Sequence, residues 1–166
     1  IFSHRAAPLQ VSYLGYPGTT GMAYIDYLIA DNLTVPAGHD AYYSERIARL
    51  PGCYQCNDAK RPIAERTFTR TEFGLPERGF VFCSFNNSYK ITPEVFDIWM
   101  RLLRQVDGSV LWLLQNDSSA ADNLRREAAA RDVSPARLVF ALRVPPDEHL
   151  ARHRCADLFL DTWPVN

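Results

Sequence analysis

The sequence predicts an α/β protein made of parts of two Rossmann-like lobes with parallel sheets, and three observations carry that prediction. Short runs rich in β-formers alternate with helical spacing over residues 80–161. Runs such as Val110 to Leu114 are continuously apolar, as strands covered on both faces must be. The elements recur at intervals of roughly 20 to 30 residues, the spacing of crossover connections between parallel strands. The polar stretch from Asp58 to Pro76 carries Lys60, Arg61, Pro62, Arg66, Arg70, Gly74 and Pro76 with little apolar periodicity, and reads as a linker. It divides the chain into residues 1–72, the end of one lobe with its linker, and residues 73–166, the first part of another.

The first lobe is the less regular. Gln10 to Leu14 reads as a strand, followed by a turn-rich Gly15-Tyr16-Pro17-Gly18-Thr19-Thr20-Gly21 loop. Tyr24 to Ala30 is a second strand leading to Asp31, and Arg46 to Leu50 a third. The second lobe opens on a strand from Phe80 to Phe85 and switches to helical spacing from Ile91 to Val106. Thr92 suits the N-cap, Pro93 the first helical position and Glu94 the first turn, with Val95, Ile98, Trp99, Leu102, Leu103 and Val106 as the apolar stripe. Asp107-Gly108 stops this helix. Val110 to Leu114 is the next strand, and Ala120 to Arg131 an alanine-rich helix with an Asp122 to Arg126 pair. Arg137 to Leu142, Pro146 to Arg154 and Leu158 to Asp161 complete the alternation as strand, helix and strand.

Composition narrows the function classes. The chain has 166 residues, 47% hydrophobic and 22% charged, enough to bury a core. Eighteen basic against nineteen acidic residues leave a net charge of -1, which argues against nucleic-acid binding by bulk electrostatics and against a polybasic membrane anchor. An anionic ligand must be met by a few placed groups. No apolar run approaches the ~20 residues of a membrane-spanning helix. The start at Ile1 resembles neither a signal peptide nor a methionine start, so the chain reads as truncated at both ends. Cys53, Cys56, Cys83 and Cys155 are too few and too irregular for a disulfide framework. Cys53 and Cys56 form a C-x-x-C, but no second ligand pair stands at a zinc spacing, so reduced thiols in a cytoplasmic protein are the expectation.

Open α/β sheets bind ligands where their strands end, so the loops after the strands define the candidate site. After Phe85 come Asn86, Asn87, Ser88, Tyr89 and Lys90, a cluster of donors leading into a helix N-terminus. Such a cluster suits phosphate; it is equally the composition of an ordinary turn with a solvated lysine. The third strand of the second lobe empties into Leu142-Arg143-Val144-Pro145-Pro146, with Glu148 and His149 in the first helical turn. A histidine there can stack on a base or donate to an anion, or simply face solvent. His153, beside Arg152 and Arg154, reads as solvated. The Gly15 to Gly21 loop lacks the close glycine pair of a dinucleotide fingerprint and the lysine of a P-loop, and either lines a cleft or turns a corner. His4 and His39 have no acid or nucleophile at a telling spacing.

Several strings, taken in order, carry a family resemblance: Arg5-Ala-Ala-Pro-Leu-Gln-Val, Leu14-Gly-Tyr-Pro-Gly-Thr-Thr-Gly21, Asp26-Tyr-Leu-Ile-Ala-Asp31 and Tyr43-Ser-Glu45, then Gly74-Leu-Pro-Glu77, Cys83-Ser-Phe-Asn-Asn-Ser-Tyr-Lys90, Ser109-Val-Leu-Trp-Leu-Leu114, Arg137-Leu-Val-Phe140 and Ala156-Asp-Leu-Phe-Leu-Asp-Thr162. Together they resemble the catalytic region of protein O-linked N-acetylglucosamine transferases (glycosyltransferase family 41), which includes the SPINDLY O-fucosyltransferases, with a bacterial-type member most similar. The resemblance implies a GT-B fold and inverting transfer of N-acetylglucosamine from UDP-GlcNAc to protein Ser or Thr, with no metal and no cofactor. It implies a nucleotide-sugar donor and protein acceptors as partners, no nucleic acid and no membrane.

By the same resemblance, Lys90 is the catalytic lysine that binds the diphosphate and stabilises the departing charge, and Asn87 lies at the diphosphate, where animal members have glutamine. Tyr89 lines the sugar and acceptor side, Val144 offers its backbone to the uracil edge, and His149 stacks on uracil. Departures are Pro146, where animal members have lysine, and the end at Asn166, just short of the family's His-Thr-Thr turn. The general base and the tetratricopeptide repeats would precede Ile1, so the isolated piece is expected to be inactive. A SPINDLY-like enzyme using GDP-fucose and a non-catalytic nucleotide-binding scaffold are the alternatives.

Overall fold

A computed structural model describes residues 1–164. The chain folds into two compact units, one from Ile1 to Lys60 and the other from Arg61 onward. In the first, β1 (Val11–Ser12), β2 (Tyr27–Asp31) and β3 (Arg46–Leu50) form a parallel sheet in that order. Tyr27 to Asp31 lie in register with Arg46 to Leu50. The first strand is shorter than its apolar pattern suggests because Leu14 and Gly15 both adopt left-handed backbone and turn the chain. Leu28, Ala30 and Val35 form the buried apolar centre of this unit.

The second unit holds a parallel four-stranded sheet in the order β6-β5-β4-β7. Its elements are β4 (Val81–Ser84), α1 (Pro93–Gln105), β5 (Val110–Leu114), α2 (Ser118–Ala129), β6 (Leu138–Ala141), α3 (Pro146–Arg152) and β7 (Leu158–Phe159). Side chains of a strand alternate between faces, and here the alternation feeds two cores. Phe82, Leu111, Leu113 and Leu138 pack with Phe96, Trp99, Met100 and Leu103 of α1 and with Ala128 of α2. Val81, Cys83, Val110, Trp112 and Ala141 pack with Leu75 and Cys155, flanked by Phe68 and Phe73. Continuous apolar strands follow, since neither face meets water.

Three local readings differ from expectation. The buried positions of α1 are Val95, Phe96, Trp99, Met100 and Leu103, while Ile98 is exposed. The helix thus buries a face spaced by four residues, offset from the stripe that the hydropathy of Ile98 suggests. In α2, Asp122 pairs with Arg125 at 3.3 Å and not with Arg126, which donates to Asn123. The helix also starts earlier, because the Asp117 carboxylate caps it by accepting from Ala120 N–H at 2.9 Å.

The polar segment after Arg61 packs with the second unit. Arg70 donates to the carbonyls of Cys155 (3.1 Å) and Gly79 (2.9 Å) and pairs with Asp157 at 2.7 Å, while Leu75 is buried. Sparse but large apolar residues, Phe68, Phe73 and Leu75, therefore cover a sheet face without a regular period.

Candidate functional site

The loops at the carboxyl ends of β4, β5 and β6 meet α3 around a cleft of about 380 Å³. Phe85 and Asn87 reach it from the loop after β4, Val144 from the loop after β6, and Pro146, His149 and Arg152 from α3. The loop after β4 is fixed on its far side, where Asn86 Nδ2 donates to Asp161 Oδ1 at 2.8 Å. Pro146 opens α3 at a position where a missing N–H costs nothing. His149 N–H then donates to the Pro145 carbonyl at 2.8 Å, so the ring stands on the first turn beside the cleft.

Arg152 is 1% exposed. Its Nη1 donates to the Leu142 carbonyl at 2.7 Å and its Nη2 meets His149 Nδ1 at 2.7 Å. The guanidinium carbon lies 4.7 Å from the Phe85 ring centre and 5.7 Å from that of Trp112. Two charge-assisted hydrogen bonds and two aromatic rings thus stand in for a carboxylate partner, while Arg152 Nε is buried with no hydrogen-bond partner.

The His149 ring is edge-on to Phe85 at 5.1 Å and to His153 at 4.8 Å. Burial first, then the charges of Arg152 and His153, hold the His149 imidazole down at about 4, so it is neutral at physiological pH. His153 is not the solvated residue expected of it. It is half-buried against Phe85 at 5.0 Å, and its Nδ1 donates to the His149 carbonyl at 2.7 Å. The 3-10 turn His153–Cys155 that continues α3 brings it there.

The expected site residues fall into two groups. Asn87, Val144 and His149 share the cleft. Tyr89 and Lys90 line a separate depression of about 220 Å³ with Thr92 and Pro164. Ser88–Lys90 is a 3-10 turn in which Lys90 N–H donates to the Asn87 carbonyl at 3.0 Å. Thr92 caps α1 directly afterwards, its Oγ1 accepting from Val95 N–H at 3.4 Å. Lys90 thus immediately precedes the amino end of the thirteen-residue α1, and Tyr89 is largely exposed beside it.

Sequence reasoning passed over Phe85 and Arg152, although Arg152 stands three residues beyond His149 and so on the same helical face. Arg143 also lines the cleft, its Nη2 donating to Asn116 Oδ1 at 3.3 Å. Among the described residues no group of three or more His, Cys, Asp or Glu could hold a metal ion, and all four cysteines are free.

Comparison with known proteins adds lineage to this geometry. A family model described as glycosyl transferase family 41 matches residues 1–65 and 57–166. A probable UDP-N-acetylglucosamine-peptide N-acetylglucosaminyltransferase of Arabidopsis thaliana, SEC, is 40% identical over 98% of the chain. SPINDLY of the same plant, described with the same probable activity, is 32% identical over 96% of the chain. A solved mutant of Thermobaculum terrenum O-GlcNAc transferase superposes with a TM-score of 0.82 at 32% identity, covering 98% of the chain. The chain spans 17% and 18% of the two plant proteins and 31% of the bacterial one.

Proposed function

Because the chain belongs to glycosyl transferase family 41 and has its GT-B type α/β fold, we propose that it carries part of the donor site of a protein glycosyltransferase, which moves N-acetylglucosamine from UDP-GlcNAc to Ser or Thr hydroxyls with inversion. The observation that carries this reading is the cleft at the carboxyl ends of the parallel strands. It brings together His149, whose ring is neutral at physiological pH, with Val144 and Asn87. In the proposed arrangement His149 lies against the face of the base, Val144 reads its edge, and Asn87 donates toward the diphosphate.

Lys90, just before the amino end of α1, supplies positive charge where the nucleoside diphosphate departs. Both the ammonium and the helix dipole favour the anion as it gains charge, and neither has to reorganise during the reaction. In this reading the lysine does what a metal ion does in other transferases, and Tyr89 borders the sugar and acceptor side. Four free thiols suit a reducing compartment, so the proposed location is the cytoplasm. No helix among the described residues is long and apolar enough to cross a membrane.

Thermal protection of the intact protein by nucleotides tests the donor. Stabilisation by UDP and not by GDP is the expected result, growing with the logarithm of ligand concentration. Protection by GDP alone would replace the assignment with a GDP-sugar enzyme such as a fucosyltransferase. Lys90→Ala is expected to lower kcat by about 10² to 10³-fold, the scale of losing one placed charge-stabilising group. Unchanged turnover would take Lys90 out of the mechanism, and a wild-type protein that binds UDP without turnover would make the site a nucleotide-binding scaffold.

A further inference from the structure

We propose that Arg152 is a positioning residue that locks His149 into the neutral tautomer with hydrogen on Nε2, so that the donor cleft presents an uncharged N–H-bearing ring. The inference rests on the proposed donor-binding reading for its purpose, but its geometry stands alone. A guanidinium has only donors and stays protonated in proteins. Its Nη2 lies 2.7 Å from His149 Nδ1, so Nδ1 must accept with its lone pair. The ring hydrogen is then on Nε2.

Arg152 cannot easily give up this position. Its other arm is held by the Leu142 carbonyl at 2.7 Å, and the side chain is wedged against Phe85 and Trp112 with 1% exposure. Of the groups facing His149, Arg152 and His153 work against an imidazolium, as does burial. Arg152 and His153 belong to α3 and its extension, Arg143 comes from the loop after β6, and Phe85 and Asn87 come from the loop after β4. Among the described residues lining the cleft there is no carboxylate to stabilise an imidazolium. The low titration of His149, about 4, agrees with this environment.

Two consequences follow for a nucleotide. The base meets a ring whose charge is constant across physiological pH, so donor affinity does not follow histidine protonation. The ring hydrogen also lies in the imidazole plane at a defined nitrogen, so a base stacked on the ring meets a neutral aromatic face and not the N–H.

Nitrogen-15 NMR of ring-labelled histidine in the intact, nucleotide-free protein reads the tautomer directly. We expect the His149 pattern of a lone pair at Nδ1 and hydrogen at Nε2, persisting down to about pH 5. Arg152→Met, which keeps bulk but has no donor, is expected to give mixed tautomers and a titration midpoint raised above about 4, with burial still holding it below the free value of ~6.5. Arg152→Gln retains an amide donor without the charge and is expected to restore the Nε2–H pattern while the midpoint stays raised.

Hydrogen on Nδ1 in the wild type, or an ordinary midpoint near 6.5, would overturn the proposal without any variant having to fold. So would an Arg152→Met protein whose tautomer and midpoint are unchanged. These outcomes are separable from the donor assignment, since failure of UDP protection leaves the tautomer result standing and the reverse also holds.

Discussion

Glu45 is 4% exposed, and it organises the glycine-rich loop whose role the sequence left open. Thr19 Oγ1 donates to Glu45 Oε2 at 2.7 Å, Thr20 N–H donates to Oε1 at 2.7 Å, and the Thr20 hydroxyl donates to the same oxygen. Burial pushes this carboxyl up, but the hydrogen bonds from Thr20 and Thr19 more than offset it and bring it down to about 2. Asp31 is likewise held at about 2, by the backbone N–H groups of Thr34 and Tyr54. Both folded-state values lie below the ordinary 4.5 and 3.8, so their contribution is complete above about pH 4.5 and fades as the pH falls toward 2. Glu45→Gln is expected to cost about 1 to 3 kcal/mol at pH 7 and to lose less stability than wild type between pH 5 and 3. Urea titrations at both pH values check this, and equal losses in the two proteins would show that Glu45 is not a source of the acid sensitivity. At this scale the sequence was legible where residue type and strand end coincide, as for Asn87, Val144 and His149. Arg152 was hidden because a cation beside His153 and Arg154 looks solvated until the fold buries it.

Strands and helices were legible as elements because period and cap agree. Thr92, Pro93 and Glu94 announce α1, and the structure places all three at its start. The segment after Arg61 was not legible as part of a core, because Phe68, Phe73 and Leu75 follow no period and are held by sheet contacts and by Arg70. The entry to β4 depends on a turn that only glycine fits. Gly79 has φ +113°, and a Cβ there would lie 2.4 Å from the Gly108 carbonyl oxygen, a backbone atom that has no rotamer to change. Gly79→Ala is therefore expected to destabilise by about 2 kcal/mol or more, combining left-handed strain with a clash. Gly52→Ala, where an added Cβ meets nothing within 4 Å, is expected to be near neutral. Chemical denaturation of the pair separates the two cases, and equal stability would remove the steric account of the β4 entrance.

At the scale of the whole chain the four thiols fall into two classes that follow the two units. Cys53 and Cys56, in the first, are exposed, and Cys83 and Cys155, in the second, are buried. Cys83 lies on β4 opposite Trp112 of β5 in the parallel register, and desolvation pushes its thiol up to about 11. A thiol that is both covered and protonated does not react with a disulfide reagent until the sheet opens. Labelling native protein with such a reagent is therefore expected to give two thiols per chain rapidly and two slowly, the slow pair reporting opening of the second unit. Trp112 is fully buried between Phe73 and Phe85, whose ring centres each lie 5.0 Å from its own. Trp112→Leu removes those contacts and leaves a cavity, at a cost of about 3 kcal/mol. If opening is the gate for labelling, that loss speeds the slow phase by roughly 100-fold and leaves the fast phase unchanged. Four equally fast thiols in the wild type would contradict the core described here. A slow phase indifferent to Trp112→Leu would instead mean that Cys83 and Cys155 are reached by local fluctuation, with the sheet of the second unit staying closed.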